Sequence, residues 1–185
     1  MLTRNDRDYQ TLLDAFAPKV IAEDIIGYEA RITAEPTSVA LHDDVALLYL
    51  EQGRAEQAVI HFGRSVALRP ESAATYFNLG TALTFAGRID AALRQYREAL
   101  RLRPDYALAH NNLGAILFQR GDIGEALPHL LEAVRIDPAN ADAHDNLGRL
   151  YRQVGDGAEA CIQFERALKA RPGWVTAATA LAGCR

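Results

Sequence analysis

The sequence predicts an all-α chain built from a repeated pair of helices. Prolines recur at a constant spacing of 34 residues, at Pro36, Pro70, Pro104, Pro138 and Pro172. Glycines keep the same spacing at Gly53, Gly87, Gly121 and Gly155. Within each period, apolar residues recur at the i, i+3, i+4 and i+7 positions of one helical face. An internal period of this length indicates a repeat array.

The composition is that of a folded protein. Of the 185 residues, 49% are apolar and 24% are charged, which argues against a disordered chain. The net charge of −4 provides no general attraction for nucleic acid. No apolar run approaches the roughly 18 residues that a membrane span requires. We therefore expect no nucleic-acid partner and no membrane insertion.

Residues 73–104 illustrate the two helices of each unit. The first face is formed by Tyr76, Leu79, Gly80 and Leu83, and the second by Ala92, Tyr96, Ala99 and Leu100. Gly87 separates them, as expected for a residue that leaves a helix at positive φ. Pro104 ends the second helix, because proline cannot continue the hydrogen-bond ladder. The small residues let paired helices approach closely, and the large ones fill the gaps.

The two ends of the chain depart from this pattern. We expect residues 1–38 to form a helical segment that covers the first repeat, with one or two helices between residues 5 and 38. Residues 175–185 look like the first helix of another unit without its partner. In that helix we expect Val175, Ala178, Leu181 and Ala182 to pack on the preceding repeat. Ala177 and Ala180 would then lie on an uncapped outer face, which would allow self-association through this helix.

These motifs resemble the tetratricopeptide repeat (TPR) family. The aromatic-x-x-Leu-Gly start, the Ala-x-x-x-aromatic middle and the terminal proline recur in four units, residues 39–72, 73–106, 107–140 and 141–174. The first unit departs most, since Val45 and Ala46 replace Leu-Gly. The resemblance implies a right-handed superhelix, an α-solenoid of stacked antiparallel helix pairs. It also implies a concave groove lined by the first helix of each pair.

The predicted groove residues lie off the packed face of the first helices. They are Asp44, Phe77, Asn78, Thr81, Phe85, Asn111, Asn112, Phe118, Asp145, Asn146, Arg149 and Arg152. The column of Asp44, Asn78, Asn112 and Asn146 resembles the asparagine ladder of protein glycosyltransferases. Side-chain amides both donate and accept hydrogen bonds, so such a column can hold an extended peptide backbone. Alternatively, the asparagines bond neighbouring backbone and the phenylalanines pack between helices.

The sequence offers little support for chemistry. His42, His110 and His144 share the column that holds Tyr76, and His61 and His129 repeat one another at a matching spacing. A slot that accepts both tyrosine and histidine is a packing slot, so we expect no metal site. We expect Cys161 to be a small core residue, while Cys184 could oxidise between copies. No motif for a phosphate loop or a nucleophile elbow occurs, so we expect neither a cofactor nor catalysis.

The sequence therefore predicts a non-catalytic scaffold that binds an extended peptide or a partner helix in its groove. The alternative is a substrate-targeting arm of a larger enzyme, such as a protein glycosyltransferase, with the catalytic domain outside this chain. The two cysteines form no CxxC motif or disulfide framework, which fits a reducing, cytoplasmic location.

Overall fold

The computed structural model describes residues 25–184, and these form helices without any strand. The helices are α1 (Ile25–Ala34), α2 (Val39–Glu51), α3 (Ala55–Leu68), α4 (Ala73–Phe85), α5 (Ile89–Leu102), α6 (Ala107–Arg120), α7 (Ile123–Ile136), α8 (Ala141–Gln153), α9 (Gly157–Ala170) and α10 (Val175–Ala182). The predicted all-α class is confirmed. The part of the predicted N-terminal helical segment before residue 25 lies outside the described residues.

Side-chain caps define where several helices begin. The hydroxyl oxygens of Ser38 and Ser72 accept hydrogen bonds from backbone amides at the starts of α2 and α4. At the start of α8, Oδ1 of Asn140 accepts the backbone N–H of Ala143 at 2.9 Å. Each cap satisfies a donor that has no partner within the first turn of its helix.

Glycines at positive φ form the turns within the helix pairs. Gly53, Gly87, Gly121 and Gly155 have φ angles of 70°, 72°, 86° and 87°. Residues with a Cβ rarely adopt this conformation, so the regular glycine spacing has a backbone cause. The predicted positive φ at Gly87 is confirmed. Gly173 adopts a φ of 89° in the turn before α10, outside the predicted glycine column.

The chain forms two compact units, divided between Gln95 and Tyr96 within α5. The described part of the first unit contains α1 to α4 and the start of α5. Its core includes Val45, Ala46 and Phe62, and Tyr28 of α1 is buried in the same cluster. The hydroxyl of Tyr49 on α2 donates to Oε1 of Glu29 at 2.8 Å. Helix α1 therefore packs on the first predicted repeat.

The core of the second unit depends on glycines that face large side chains. A Cβ on Gly114 would lie 2.8 Å from Cγ of Leu130, and one on Gly148 would lie 2.8 Å from Cε1 of Phe164. Leu130 and Phe164 are fully buried. As predicted, a small residue lets α6 approach α7 closely, and another lets α8 approach α9. The large side chains of Leu130 and Phe164 fill the space between these helices.

Helix α10 packs with a different face from the predicted one. Ala177 and Ala180 are buried, whereas Val175 is 72% exposed and Ala178 is exposed. Ala180 joins a cluster with Ala160 and Phe164 of α9, and Leu181 packs against its edge. The small alanines allow α10 to approach α9 closely. Of the four residues expected to pack, Leu181 contacts this cluster.

A disulfide joins Cys161 of α9 to Cys184, which follows α10, with their Cα atoms 5.9 Å apart. The expectations that Cys161 is a free core residue and that Cys184 oxidises between copies are therefore wrong. The disulfide also removes the cysteine-based reason to favour a reducing compartment. None of the helices in residues 25–184 is long and apolar enough to cross a bilayer.

Candidate peptide-binding surface

The predicted surface lies on α2, α4, α6 and α8, the first helices of the four predicted repeats. Asp44 and Asn78 are half-buried on the first unit, as are Asn112 and Asn146 on the second. These four residues occupy equivalent positions one repeat apart. The column therefore keeps contact with solvent within each unit, which binding of a peptide backbone requires.

Other predicted groove residues are buried. Phe77 is 0% exposed and Asn111 is 7% exposed, and Thr81 and Asp145 are also buried. Phe77, Asn111 and Asp145 each precede a member of the asparagine column. One residue along a helix turns the side chain by about 100°, so these side chains point towards packed neighbours. The prediction that these four residues face an open groove is wrong.

The phenylalanines divide between packing and exposure. Phe77 is fully buried, and Phe85 packs against the core cluster of the first unit. Phe118 of the second unit is half-buried. The alternative interpretation, packing between helices, therefore applies to Phe77 and Phe85. Phe85 and Phe118 both retain an accessible part.

The asparagines of the second unit form a chain of hydrogen bonds. Nδ2 of Asn146 donates to Oδ1 of Asn111 at 2.9 Å, and Nδ2 of Asn111 donates to Oδ1 of Asn112 at 3.2 Å. Nδ2 of Asn112 approaches the hydroxyl of Tyr96 at 3.4 Å. Asn111, which sequence reasoning assigned to the groove, instead connects α6 to α8. The sequence signal was the Asn-Asn pair, which occurs in this repeat only.

These bonds leave part of the amide capacity unused. Each side-chain amide offers two donors and an acceptor oxygen. Oδ1 of Asn146 accepts no hydrogen bond from the described part of the chain, and the amide of Asn78 forms none with it. The half-buried amides are thus positioned by their helices and can still bind polar groups.

Charged side chains near this column contact other groups of the chain. Burial raises the pKa of Asp43 on α2. Arg149 lies 3.7 Å from Asp145 on the same helix. The guanidinium of Arg152 stacks 4.8 Å from the ring centre of Phe164. These contacts hold the two arginines beside the amide column.

The histidine column packs in the interior. His42 and His144 are buried, and Nε2 of each lies near the carbonyl oxygen of a repeat proline, Pro36 or Pro138, at 3.2 and 3.1 Å. Within residues 25–184, no three histidine, cysteine or acidic side chains are grouped as metal ligands. His42 and His144 thus connect α2 and α8 to the turns that precede them.

Comparison with known families agrees with this architecture. Models of the tetratricopeptide repeat match residues 36–105, 77–141 and 117–184. Together the matches run from residue 36 to residue 184, and the chain belongs to the tetratricopeptide repeat family. No protein of curated function matches it significantly.

Several solved structures share the fold. The crystal structure of MamA has a TM-score of 0.71 at 23% identity, covering 95% of this chain and 99% of MamA. Pseudomonas aeruginosa PilF has a TM-score of 0.73 at 26% identity, covering 79% of this chain and 67% of PilF. YrrB, described as a TPR protein with an unusual peptide-binding site, has a TM-score of 0.69 at 20% identity, covering 92% of this chain and 87% of YrrB.

Proposed function

We propose that this chain is a non-catalytic scaffold that binds an extended peptide or a partner helix on the first helices of its repeats, which are α2 and α4 in the first unit and α6 and α8 in the second. The observation that carries the proposal is the half-buried column of Asn78, Asn112 and Asn146, whose amides retain unused hydrogen-bonding capacity. An extended peptide presents alternating N–H and C=O groups, and a side-chain amide can pair with both. The described peptide-binding site of YrrB, a protein of the same fold, is consistent with this role.

The test is to select peptides from a displayed library with the wild-type chain and to measure their affinities by fluorescence anisotropy. Asn78→Ala removes an amide that makes no hydrogen bond with the described residues, so it should weaken binding at nearly unchanged stability. The double variant Asn78→Ala, Asn112→Ala should weaken binding further. Loss of one hydrogen bond at an interface costs about 0.5–1.5 kcal/mol.

Asn140→Ala is a matched control. Asn140 caps α8 and lies outside the amide column, so its loss should lower stability while the peptide affinity is retained. Equal affinity in the wild type and in the double variant would exclude the amide column as the binding surface. Early unfolding of the double variant would assign the column to the structure instead.

A further inference from the structure

A second surface lies on the second helices of two helix pairs of the second unit, α7 and α9. A cleft of about 580 Å³ opens between α7 and α9, at the turn that precedes α8. Its apolar wall is formed by Leu131, Val134, Pro138, Ala139 and Ala170. A volume of this size lies in the range of ligand pockets and accommodates one or two large side chains.

Three cations and no carboxylate line this cleft, namely Arg135, Arg166 and Lys169. Nε and the terminal nitrogen of Arg135 donate to the two carboxylate oxygens of Glu132 at 2.8 and 2.6 Å. Arg166 and Lys169 lie three residues apart, on one face of α9. Neither forms an ion pair or hydrogen bond with the described part of the chain. Two positive charges beside the apolar wall are therefore uncompensated within residues 25–184.

The residues one period of 34 earlier in the same unit provide an internal comparison. At the positions of Leu131, Ala139 and Arg166, shifted by one period of 34, stand Arg97, Asp105 and Glu132. There the cations are paired, since Arg97 lies 3.3 Å from Glu125 and Glu132 holds Arg135. Relative to the residues one period earlier, the cleft between α7 and α9 thus has leucine in place of an arginine, and alanine and arginine in place of two carboxylates.

The helix dipole explains only part of this charge. The positions of Lys169 in the two preceding repeats hold Arg101 and Arg135, and a cation in the last turn of a helix is favourable anywhere. The column of Arg166 is divided, since the two preceding repeats hold Glu98 and Glu132 and the first repeat holds Arg64. No charge requirement shared by all repeats therefore fixes an arginine at this position.

We propose that this cleft binds an acidic segment of a partner protein. The segment inserts a large apolar side chain between α7 and α9 and places carboxylates against Arg166 and Lys169. An apolar contact beside charge-assisted hydrogen bonds is the combination that gives specific recognition of such a segment. This site is separate from the amide column on α6 and α8, and it extends the proposed function to a second partner surface.

The direct test is a labelled peptide in which glutamates flank a pair of leucines, titrated with the full chain by fluorescence anisotropy. Two matched peptides replace the glutamates by glutamines or the leucines by serines. We expect the acidic, leucine-containing peptide to bind and both matched peptides to bind about tenfold or more weakly. Vesicles of anionic phospholipid test the other source of an acidic, apolar ligand.

A repeat-exchange variant tests the location. Leu131→Arg, Ala139→Asp and Arg166→Glu together place the residues of the preceding repeat into the cleft, where their counterparts are compatible with the same fold. We expect this variant to lose about tenfold or more in peptide affinity. Arg94→Glu, on the exposed face of α5, changes the net charge equally and should bind as the wild type does.

The outcomes are decisive in either direction. Equal binding by the repeat-exchange variant, equal binding of the glutamine peptide, or absence of binding to the wild type overturns the proposal. Binding of vesicles without binding of the peptide overturns it too. If circular dichroism shows that the triple variant is unfolded, Arg166→Gln with Lys169→Gln replaces it. The Asn78→Ala, Asn112→Ala variant should retain this binding, so failure of the amide column is recognised separately.

Discussion

The rings of His110 and His129 meet edge to edge, with their Nδ1 atoms 3.0 Å apart. Nε2 of His110 lies 2.9 Å from the carbonyl oxygen of Pro104, which only accepts hydrogen bonds. Nε2 of His110 therefore carries the hydrogen, and its Nδ1 accepts the N–H of His129.

The same arrangement occurs in the first unit and, with one exchange, in the last repeat. Nδ1 of His42 lies 3.1 Å from Nδ1 of His61. At the equivalent position of the fourth repeat, Oε1 of Gln163 lies 2.7 Å from Nδ1 of His144. Here Oε1 accepts from Nδ1 of His144, so the direction of this hydrogen bond is opposite to that in the His110–His129 pair. Glutamine occupies the position of the second histidine, and it does not titrate.

We predict that acid destabilises the fold through these histidine pairs. Burial lowers the pKa of His129, aided by His110 and Arg97 and opposed by Glu125. Burial also lowers the pKa of His61, against the opposing effect of Glu29. Both folded pKa values lie below the ordinary value of about 6.5, so the unfolded chain binds more protons in that window. Stability is complete above about pH 6.5 and is lost as the pH falls through the folded pKa values.

Urea unfolding between about pH 7.5 and 5.5 measures this effect. The variant with His61→Gln and His129→Gln reproduces the partner found beside His144, and it should flatten the pH profile. An equally steep profile in this variant would assign the acid sensitivity to other groups.

Gly148→Ala should destabilise the second unit. Its Cβ would lie 2.8 and 2.9 Å from two carbons of the Phe164 ring, which is fully buried. Overpacking of this kind costs about 1–3 kcal/mol. Gly63→Ala is the control, since Gly63 lies within α3 with nothing near its Cβ position. That substitution should stabilise by about 0.5–1 kcal/mol, and chemical denaturation compares the two.

Removing the disulfide should release α10. The cysteines are 23 residues apart in the sequence, and closing a loop of this size is worth about 3 kcal/mol in the chain-entropy model. Cys184→Ser should therefore speed hydrogen exchange of the α10 amides while those of α6 to α8 stay protected. A reductant should produce the same effect in the wild type and none in the variant. Unchanged exchange of α10 would show that its alanine contacts suffice.

Asn140→Ala should lower the stability of α8 and its neighbours. The Oδ1 cap at the first turn of α8 is the shortest of the side-chain caps described above, at 2.9 Å. Losing an asparagine cap costs about 0.5–2 kcal/mol. Asn140→Asp keeps an acceptor oxygen and should restore most of the thermal midpoint. A midpoint as low as that of the alanine variant would show that the amide acts elsewhere.

The period of 34 predicted the helix pairs because each column has a backbone or packing cause. Positive φ explains the glycines before the second helices, and close approach explains Gly114 and Gly148. The amide column was also readable, since one half-buried position recurs in each first helix. The burial of Phe77 and Asn111 could not be predicted from the sequence. Their positions lie at the edge of the packed face, where exposure depends on how closely the neighbouring helix approaches.

The positions of the two cysteines relative to the turn indicate the disulfide, whereas their number alone does not. Cys161 lies 11 residues before Pro172, and Cys184 lies 11 residues after Gly173. In an antiparallel helix pair, residues equally distant from the turn lie opposite each other, so these two cysteines meet. Ala180 packs with Ala160 and Phe164 of α9, and Ala177 is buried too, so the packed face of α10 is the reverse of the predicted one.

The exchange of acidic residues for Ala139 and Arg166 has a wider consequence. Because the repeats share one fold, a comparison of their equivalent positions separates the residues that the fold requires from those that it does not. Columns where all copies agree, such as the glycines at positive φ, follow from the fold. The column of Arg166 divides instead between arginine and glutamate, so the scaffold leaves the charge at this position open to selection by a partner.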